Sequence, residues 1–198
     1  MTIEKPPLLH PELFCGIDPG LSGAIAIIDA TGQLIHWMDM PTLVQGGIVS
    51  RRIDCDALAQ MLTSQIAPGS TIGCVEVVGY RPNAGQRNTA VSGASLAHSM
   101  GVAEGVLAGL GVPVLRALPM VWKSAMGLVR AGKSGSVNRA VELWPSLKGR
   151  RHDICEAALL ARFAWLQHQP KQEKPKPIKA LKRRQIRKEG LDVFVLDQ

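Results

Sequence analysis

The sequence predicts an α/β fold: a mixed five-stranded sheet, three antiparallel strands followed by crossover strands, with helices on both faces. Three observations carry that expectation. Apolar runs at 13–19 (LFCGIDP) and 23–29 (GAIAIID) are separated only by Gly20, Leu21 and Ser22, a hairpin pattern, and a third at 33–39 follows the turn Thr31-Gly32. Further along, the apolar strand candidates at 71–78 (TIGCVEVV) and Val112 to Leu115 are separated by a segment rich in Ala, Leu and Val, which suits a crossover helix. The last strong pattern, Asp153 to Gln167, has apolar residues at 154, 157, 158, 160, 161, 164 and 165, which predicts an amphipathic helix lying on the sheet.

The intervening elements follow from local signals. Asp54 to Ile66 carries Leu58, Met61, Leu62 and Ile66 at helical spacing, with Asp54 placed to cap it and Pro68-Gly69 to stop it. The crossover helix spans about 93 to 110. Its glycines at 101, 105 and 109 recur every fourth residue, which favours close packing on the sheet and also makes that stripe a candidate interface. Pro119 opens a short helix through Met126, and Ser136 to Trp144 forms another that Pro145 ends. The expected organisation is an N-terminal extension at 1–12, one domain at 13–169, and a basic tail at 170–198 where prolines and lysines alternate.

Composition narrows the class. No apolar run reaches the roughly 20 residues a membrane span needs, so no membrane role is expected. The first fourteen residues hold two acids and three prolines and do not read as a signal peptide, which predicts a cytoplasmic protein. Cys15, Cys55, Cys74 and Cys155 are too scattered for structural zinc and read as reduced, mostly buried thiols. The net charge is +7, but residues 171–190 hold nine Lys or Arg against two Glu, so the basic character is a property of the tail. Such a tail, including Lys182, Arg183 and Arg184, attracts polyanions by phosphate neutralisation and counterion release; a solubilising tail has the same composition.

Four acids stand out. Asp18 ends an apolar strand beside Pro19 and Gly20, where a turn aspartate is the plain alternative. Glu76 stands inside CVEVV, which demands a compensating partner unless the strand lies at an edge with one face in water. Asp153 and Glu156, three apart at a helix start, project from one face, as acids favoured by the helix dipole also do. If the two strands are neighbours and the last helix crosses their ends, the four meet. Carboxylates about 4 Å apart repel by roughly 4 kcal/mol per pair at an effective dielectric of ~20, so the cluster needs cations or protons. Oxygen ligands favour magnesium or manganese, and two such ions can drive phosphodiester hydrolysis.

GIDPGLSGA at 16–24, VEVV at 75–78, the PMVWK stretch ending at Lys123, Lys133-Ser134 and RHDICEAALLA at 151–161 together resemble RuvC-type Holliday junction resolvases, especially their phage and prophage relatives. The resemblance covers about residues 13 to 166. It implies a ribonuclease H-like fold and a magnesium- or manganese-dependent endonuclease, with two ions per site, that nicks branched DNA as a homodimer. By the resemblance Asp18, Glu76, Asp153 and Glu156 match the metal-binding acids, Glu156 standing where the best-known bacterial members have Asp. Lys123 and Lys133 fall near the family's phosphate-contacting bases, Lys133 being the better candidate at the scissile phosphate; both also suit a solvated surface. The loop GYRPNAGQRNTAVS after Glu76 matches loops that probe the junction: Tyr80 suits stacking on a base, and Arg81, Arg87 and Asn88 suit phosphate contacts. His152 offers proton transfer or serves only as a helix-start residue. Two rival readings remain: a junction-binding module of this fold that has lost cutting, and an actin-like phosphotransferase fragment, which the length and the lack of a second glycine-rich loop disfavour.

Overall fold

Strand β1 (Leu13–Asp18) carries apolar residues that alternate between two cores, and the remaining sheet is assembled around it. The computed structural model describes residues 10–44, 51–77 and 90–169. On one side β1 pairs antiparallel with β2 (Ala24–Asp29), which pairs antiparallel with β3 (Leu34–Asp39). On its other side β1 pairs parallel with β6 (Thr71–Glu76), which pairs parallel with β7 (Val114–Ala117). The sheet order is β3-β2-β1-β6-β7, the mixed five-stranded arrangement the sequence predicts. A separate two-stranded hairpin, β4 (Thr42–Val44) with β5 (Arg51–Ile53), has strands of three residues, too short to carry a periodic signal.

Helices cover both faces. Phe14, Ala24, Ala26, Ile28, Ile72 and Cys74 point to the core under α5 (His152–His168), which also takes in residues of α3 (Pro119–Ala125) and α4 (Gly132–Leu143). Their strand neighbours Cys15, Ile17, Ile25, Ile27 and Val75 point the opposite way, under α1 (Cys55–Gln65) and α2 (Ala90–Gly109). The two-residue period of a strand produces this division. Asp54 caps α1 as expected, accepting the Ala57 amide hydrogen at 3.0 Å.

Several expectations are corrected. The glycines at 101, 105 and 109 do not pack on the sheet: a Cβ at any of them would meet open space. The buried face of α2 is Ser99, Ala103 and Leu107, and a residue two positions along a helix lies about 200° around it, so the glycines face outward. Helix α5 is not amphipathic; Ile154 to Ala161 are buried without interruption, because α4 covers the side that the sheet does not. Helix α4 starts at Gly132 rather than Ser136, which places Ser136 in its second turn with the side chain inward. Cys55 is exposed, whereas the other three thiols are buried. Among the described residues no helix is long and apolar enough to cross a membrane.

One contact fixes how α5 lies on the sheet. A Cβ at Gly16, in the middle of β1, would run into the Ala157 carbonyl oxygen and the Ala161 amide nitrogen of α5. Helix backbone and strand backbone therefore approach as closely as only glycine permits. We expect Gly16→Ala to destabilise the protein by about 3 kcal/mol or more, since backbone rather than a flexible side chain must yield. Gly105→Ala, on the open face of α2, should instead stabilise by roughly 0.5–1 kcal/mol through helix propensity. Urea unfolding of both variants checks the contrast; equal effects would remove the crossing contact as the constraint.

Candidate metal centre

Strand alternation brings the first two acids together. Phe14, Gly16 and Asp18 share the α5 face of β1, and Ile72, Cys74 and Glu76 share the same face of β6. The parallel register runs Gly16 to Cys74 and Ile17 to Val75, so one step further Asp18 stands beside Glu76 at the carboxyl ends of neighbouring strands. The edge-strand alternative for Glu76 fails, since β6 has strands on both sides. The β1–β2 turn is tight: Gly20 donates its amide hydrogen to Asp18 Oδ1 at 3.2 Å, Gly23 donates to the Gly20 carbonyl at 2.8 Å, and a Cβ at Gly23 would strike the Asp18 carbonyl oxygen. Asp18 is thus held by its own turn.

Helix α5 delivers the other two. Asp153, Ala157 and Ala161 are spaced by four, so Asp153 continues the stripe that crosses β1 at Gly16. Arg151, at the N-cap of α5, donates to Asp39 Oδ1 at 2.7 Å and to the Ser22 carbonyl at 3.3 Å, and its guanidinium lies 3.6 Å from Asp153. The helix start is thereby tied to the turn that carries Asp18. Glu156 is only 6% exposed and Glu76 9%, each a buried acid with specific partners. Ser136 Oγ donates to Glu156 Oε1 at 2.9 Å, the Lys123 ammonium lies 3.0 Å from the same oxygen, and Trp122 Nε1 donates to Glu76 Oε1 at 2.9 Å. His152 Nε2 is 3.2 Å from Glu156 Oε1, but the ring lacks hydrogen-bond geometry to it, so the two are close without being bonded.

The electrostatics are those of crowded negative charge. Burial pushes the Asp18 carboxyl up to about 6; the Gly20 amide opposes this, while Glu76, Asp153 and Glu156 add to the rise. Burial also raises Glu76, with the Trp122 hydrogen bond and Lys123 lowering it and Glu156 raising it. Glu76, Asp153 and Glu156 each lie within electrostatic reach of Asp18. Among the described residues no group of three or more His, Cys, Asp or Glu side chains is drawn together tightly enough to hold a metal ion as the side chains stand. The donor chemistry, all carboxylate oxygen under repulsion, fits a hard divalent cation.

Of the basic candidates, Lys123 is half-buried on α3, engaged with Glu156 and lying 5.0 Å from the Trp122 ring, rather than on a solvated surface. Lys133 is exposed in the first turn of α4 and makes no ion pair among the described residues. Tyr80, Arg81, Arg87 and Asn88, together with Lys182, Arg183 and Arg184, lie outside the described residues. Sequence reasoning misses Trp122 and Ser136 as partners of the acids. Trp122 belongs to the PMVWK stretch but draws attention to its lysine, and Ser136 has no local signal because its partner is twenty residues away.

The raised Asp18 pKa has a stability consequence. Between about 4 and 6 the folded chain holds a proton there that the unfolded chain has lost, so stability is greatest below that window and falls as pH rises through it. At pH 8 in chelator, ionised Asp18 costs up to ~3 kcal/mol, because each tenfold change in proton affinity corresponds to about 1.4 kcal/mol. Asp18→Asn should therefore unfold later than the parent at pH 8 without divalent ions, with the difference fading toward pH 4. Thermal unfolding across that range checks this; a variant less stable at pH 8 would contradict it.

No protein-family profile and no curated protein matches the chain. Solved structures do. A structure of Thermus thermophilus RuvC in complex with Holliday junction substrate is similar at a TM-score of 0.57 and 17% identity, covering 78% of this chain and 94% of that one. A second Thermus thermophilus RuvC structure is similar at 0.51 and 17%, covering 78% and 95%. With its strand order, the crossing of α5 and these likenesses, the chain has the ribonuclease H-like fold that RuvC also has.

Proposed function

We propose that the chain is a divalent-metal-dependent endonuclease that nicks branched DNA, four-way junctions in particular, by hydrolysis of phosphodiester bonds. The observation that carries this reading is that Asp18, at the end of β1, is pushed up to about 6 by burial and by the charges of Glu76 on β6 and of Asp153 and Glu156 on α5. Similarity in fold to a RuvC bound to a Holliday junction supports the choice of substrate.

Asp18, Glu76, Asp153 and Glu156 would hold magnesium or manganese, with two ions per site. When bound, such ions supply an activated water and neutralise charge on the leaving oxygen. The chain's own residues do the rest. The rigid β1–β2 turn orients Asp18, and the buried surroundings of Glu76 and Glu156 keep those carboxylates from swinging into solvent. Lys133, exposed at the start of α4, is available to a backbone phosphate near the cut, and Lys123 supplies positive charge beside Glu156. Tyr80, Arg81 and Arg87 follow Glu76 directly in the sequence and would meet DNA next to the site; Lys182, Arg183 and Arg184 would add salt-dependent affinity. Cuts on opposing strands require paired sites, which a two-fold homodimer provides. Such an enzyme works in the cytoplasm, where its DNA is.

Labelled four-way junction and a matching linear duplex, each incubated with and without magnesium, test the proposal. We expect junction nicking only with the ion and little cutting of duplex. Asp18→Asn should lower cleavage at least 100-fold while junction binding in gel shifts stays within a few-fold. Binding without nicking in the parent protein would instead identify a non-cutting junction-binding module, and Asp18→Asn cutting at the parent rate would remove the proposed centre.

A further inference from the structure

Two of the four acids are gripped from outside the strands and helix that carry them. Helix α3 contributes Trp122, whose indole is fully buried and whose Nε1 donates to Glu76 Oε1 at 2.9 Å. Helix α4 contributes Ser136, 2% exposed, whose hydroxyl donates to Glu156 Oε1 at 2.9 Å. We propose that Trp122 and Ser136 are positioning residues that fix the carboxylates of Glu76 and Glu156 in the orientation in which they take a divalent cation. This rests on the reading of the four acids as a metal centre.

The choice of acceptor distinguishes Trp122 from tryptophans that serve packing alone. A buried indole N–H needs an acceptor, and backbone carbonyls ordinarily suffice. Trp144 donates to the Gly32 carbonyl at 3.1 Å and Trp165 to the Ala30 carbonyl at 2.9 Å, each closing a contact between a helix and the β2–β3 turn. Trp122 alone of these three gives its hydrogen to a carboxylate, and that carboxylate is the one on the interior strand β6.

Ser136 has an equally specific task. Glutamate has one more rotatable bond than aspartate, and by the resemblance Glu156 stands where the best-known bacterial resolvases have Asp. A longer side chain holds a ligand oxygen less firmly unless something else constrains it. The Ser136 hydroxyl and the Lys123 ammonium meet the same oxygen, Oε1, from α4 and α3. Serine in a helix interior commonly bonds back to its own helix or points to solvent, and here it does neither. Outer-shell donors of this kind orient metal-binding carboxylates, and their loss costs metal affinity on the order of 10- to 100-fold.

The test uses the full chain and manganese as the probe. Free Mn²⁺ is followed by its electron paramagnetic resonance signal during titration, without DNA, for the parent, Trp122→Phe, Ser136→Ala and Asp18→Asn, with melting temperatures recorded alongside. We expect Trp122→Phe and Ser136→Ala each to weaken Mn²⁺ binding by about 10-fold. In cleavage, the magnesium concentration for half-maximal rate should rise by a similar factor, with the rate largely recovered at saturating magnesium. Loss of rate that magnesium does not restore, at unchanged Mn²⁺ affinity, would mean a structural role and overturn the proposal. Affinity within two-fold of the parent in both variants, while Asp18→Asn loses the ion, overturns the positioning role and leaves the metal centre standing. A parent that binds no Mn²⁺, or Asp18→Asn binding as the parent does, overturns the centre itself and the positioning role with it. Should Trp122→Phe fail to fold, Ser136→Ala decides by the same criteria.

Discussion

The close crossing of α5 over β1 at Gly16 is the constraint on which the rest of the structure depends. A strand and a helix normally stand apart by the thickness of their side chains. Here the strand presents no side chain at the crossing, and the helix presents Ala157 and its backbone up to Ala161. The approach lowers the start of α5 toward the carboxyl ends of β1 and β6. It brings Asp153 and Glu156, on one helix, into the same neighbourhood as Asp18 and Glu76, on two strands. Arg151 secures the same arrangement from the rim, bonding the helix start to Asp39 of β3 and to the Ser22 carbonyl in the β1–β2 turn.

That packing concentrates negative charge where the interior is least able to screen it. Burial is the largest cause of the upward shift at both Asp18 and Glu76, and the acids add to one another. The fold tolerates this because partial compensation is built in: a backbone amide at Asp18, an indole N–H at Glu76, and a hydroxyl and an ammonium at Glu156. Among these partners Lys123 brings a formal positive charge to buried Glu156, and Arg151 lies against Asp153 at the rim. Through these donors α3 and α4, which contribute none of the acids, nonetheless shape the surroundings of Glu76 and Glu156.

Much of the architecture is legible in the sequence because strands and helices leave periodic traces. The hairpin from 13 to 29, the buried strand around Glu76 and the C-terminal helix are each long enough for alternation or helical spacing to show. The β4–β5 hairpin is not, at three residues per strand. The glycines of α2 point the opposite way from what their spacing suggests, because a four-residue recurrence establishes that residues share a face and says nothing about which neighbour that face meets. The all-round burial of α5 is hidden for the same reason. Its apolar stripe predicts one buried side, whereas Cys155, Glu156, Leu159 and Phe163, outside that stripe, are buried as well with α4 packed on the helix.

The amino-acid sequence by itself determined the strand order's antiparallel beginning and the α/β class, and it singled out four acids as candidates, since carboxylates at strand ends and a helix start are local features. Only the tertiary structure decided which donors those acids receive. Trp122 is 46 positions from Glu76 and Ser136 is 20 from Glu156, and hydrogen bonds across such separations depend on how whole helices dock. Docking is settled by volume and backbone approach, as at Gly16, and these leave no repeating mark in a linear chain.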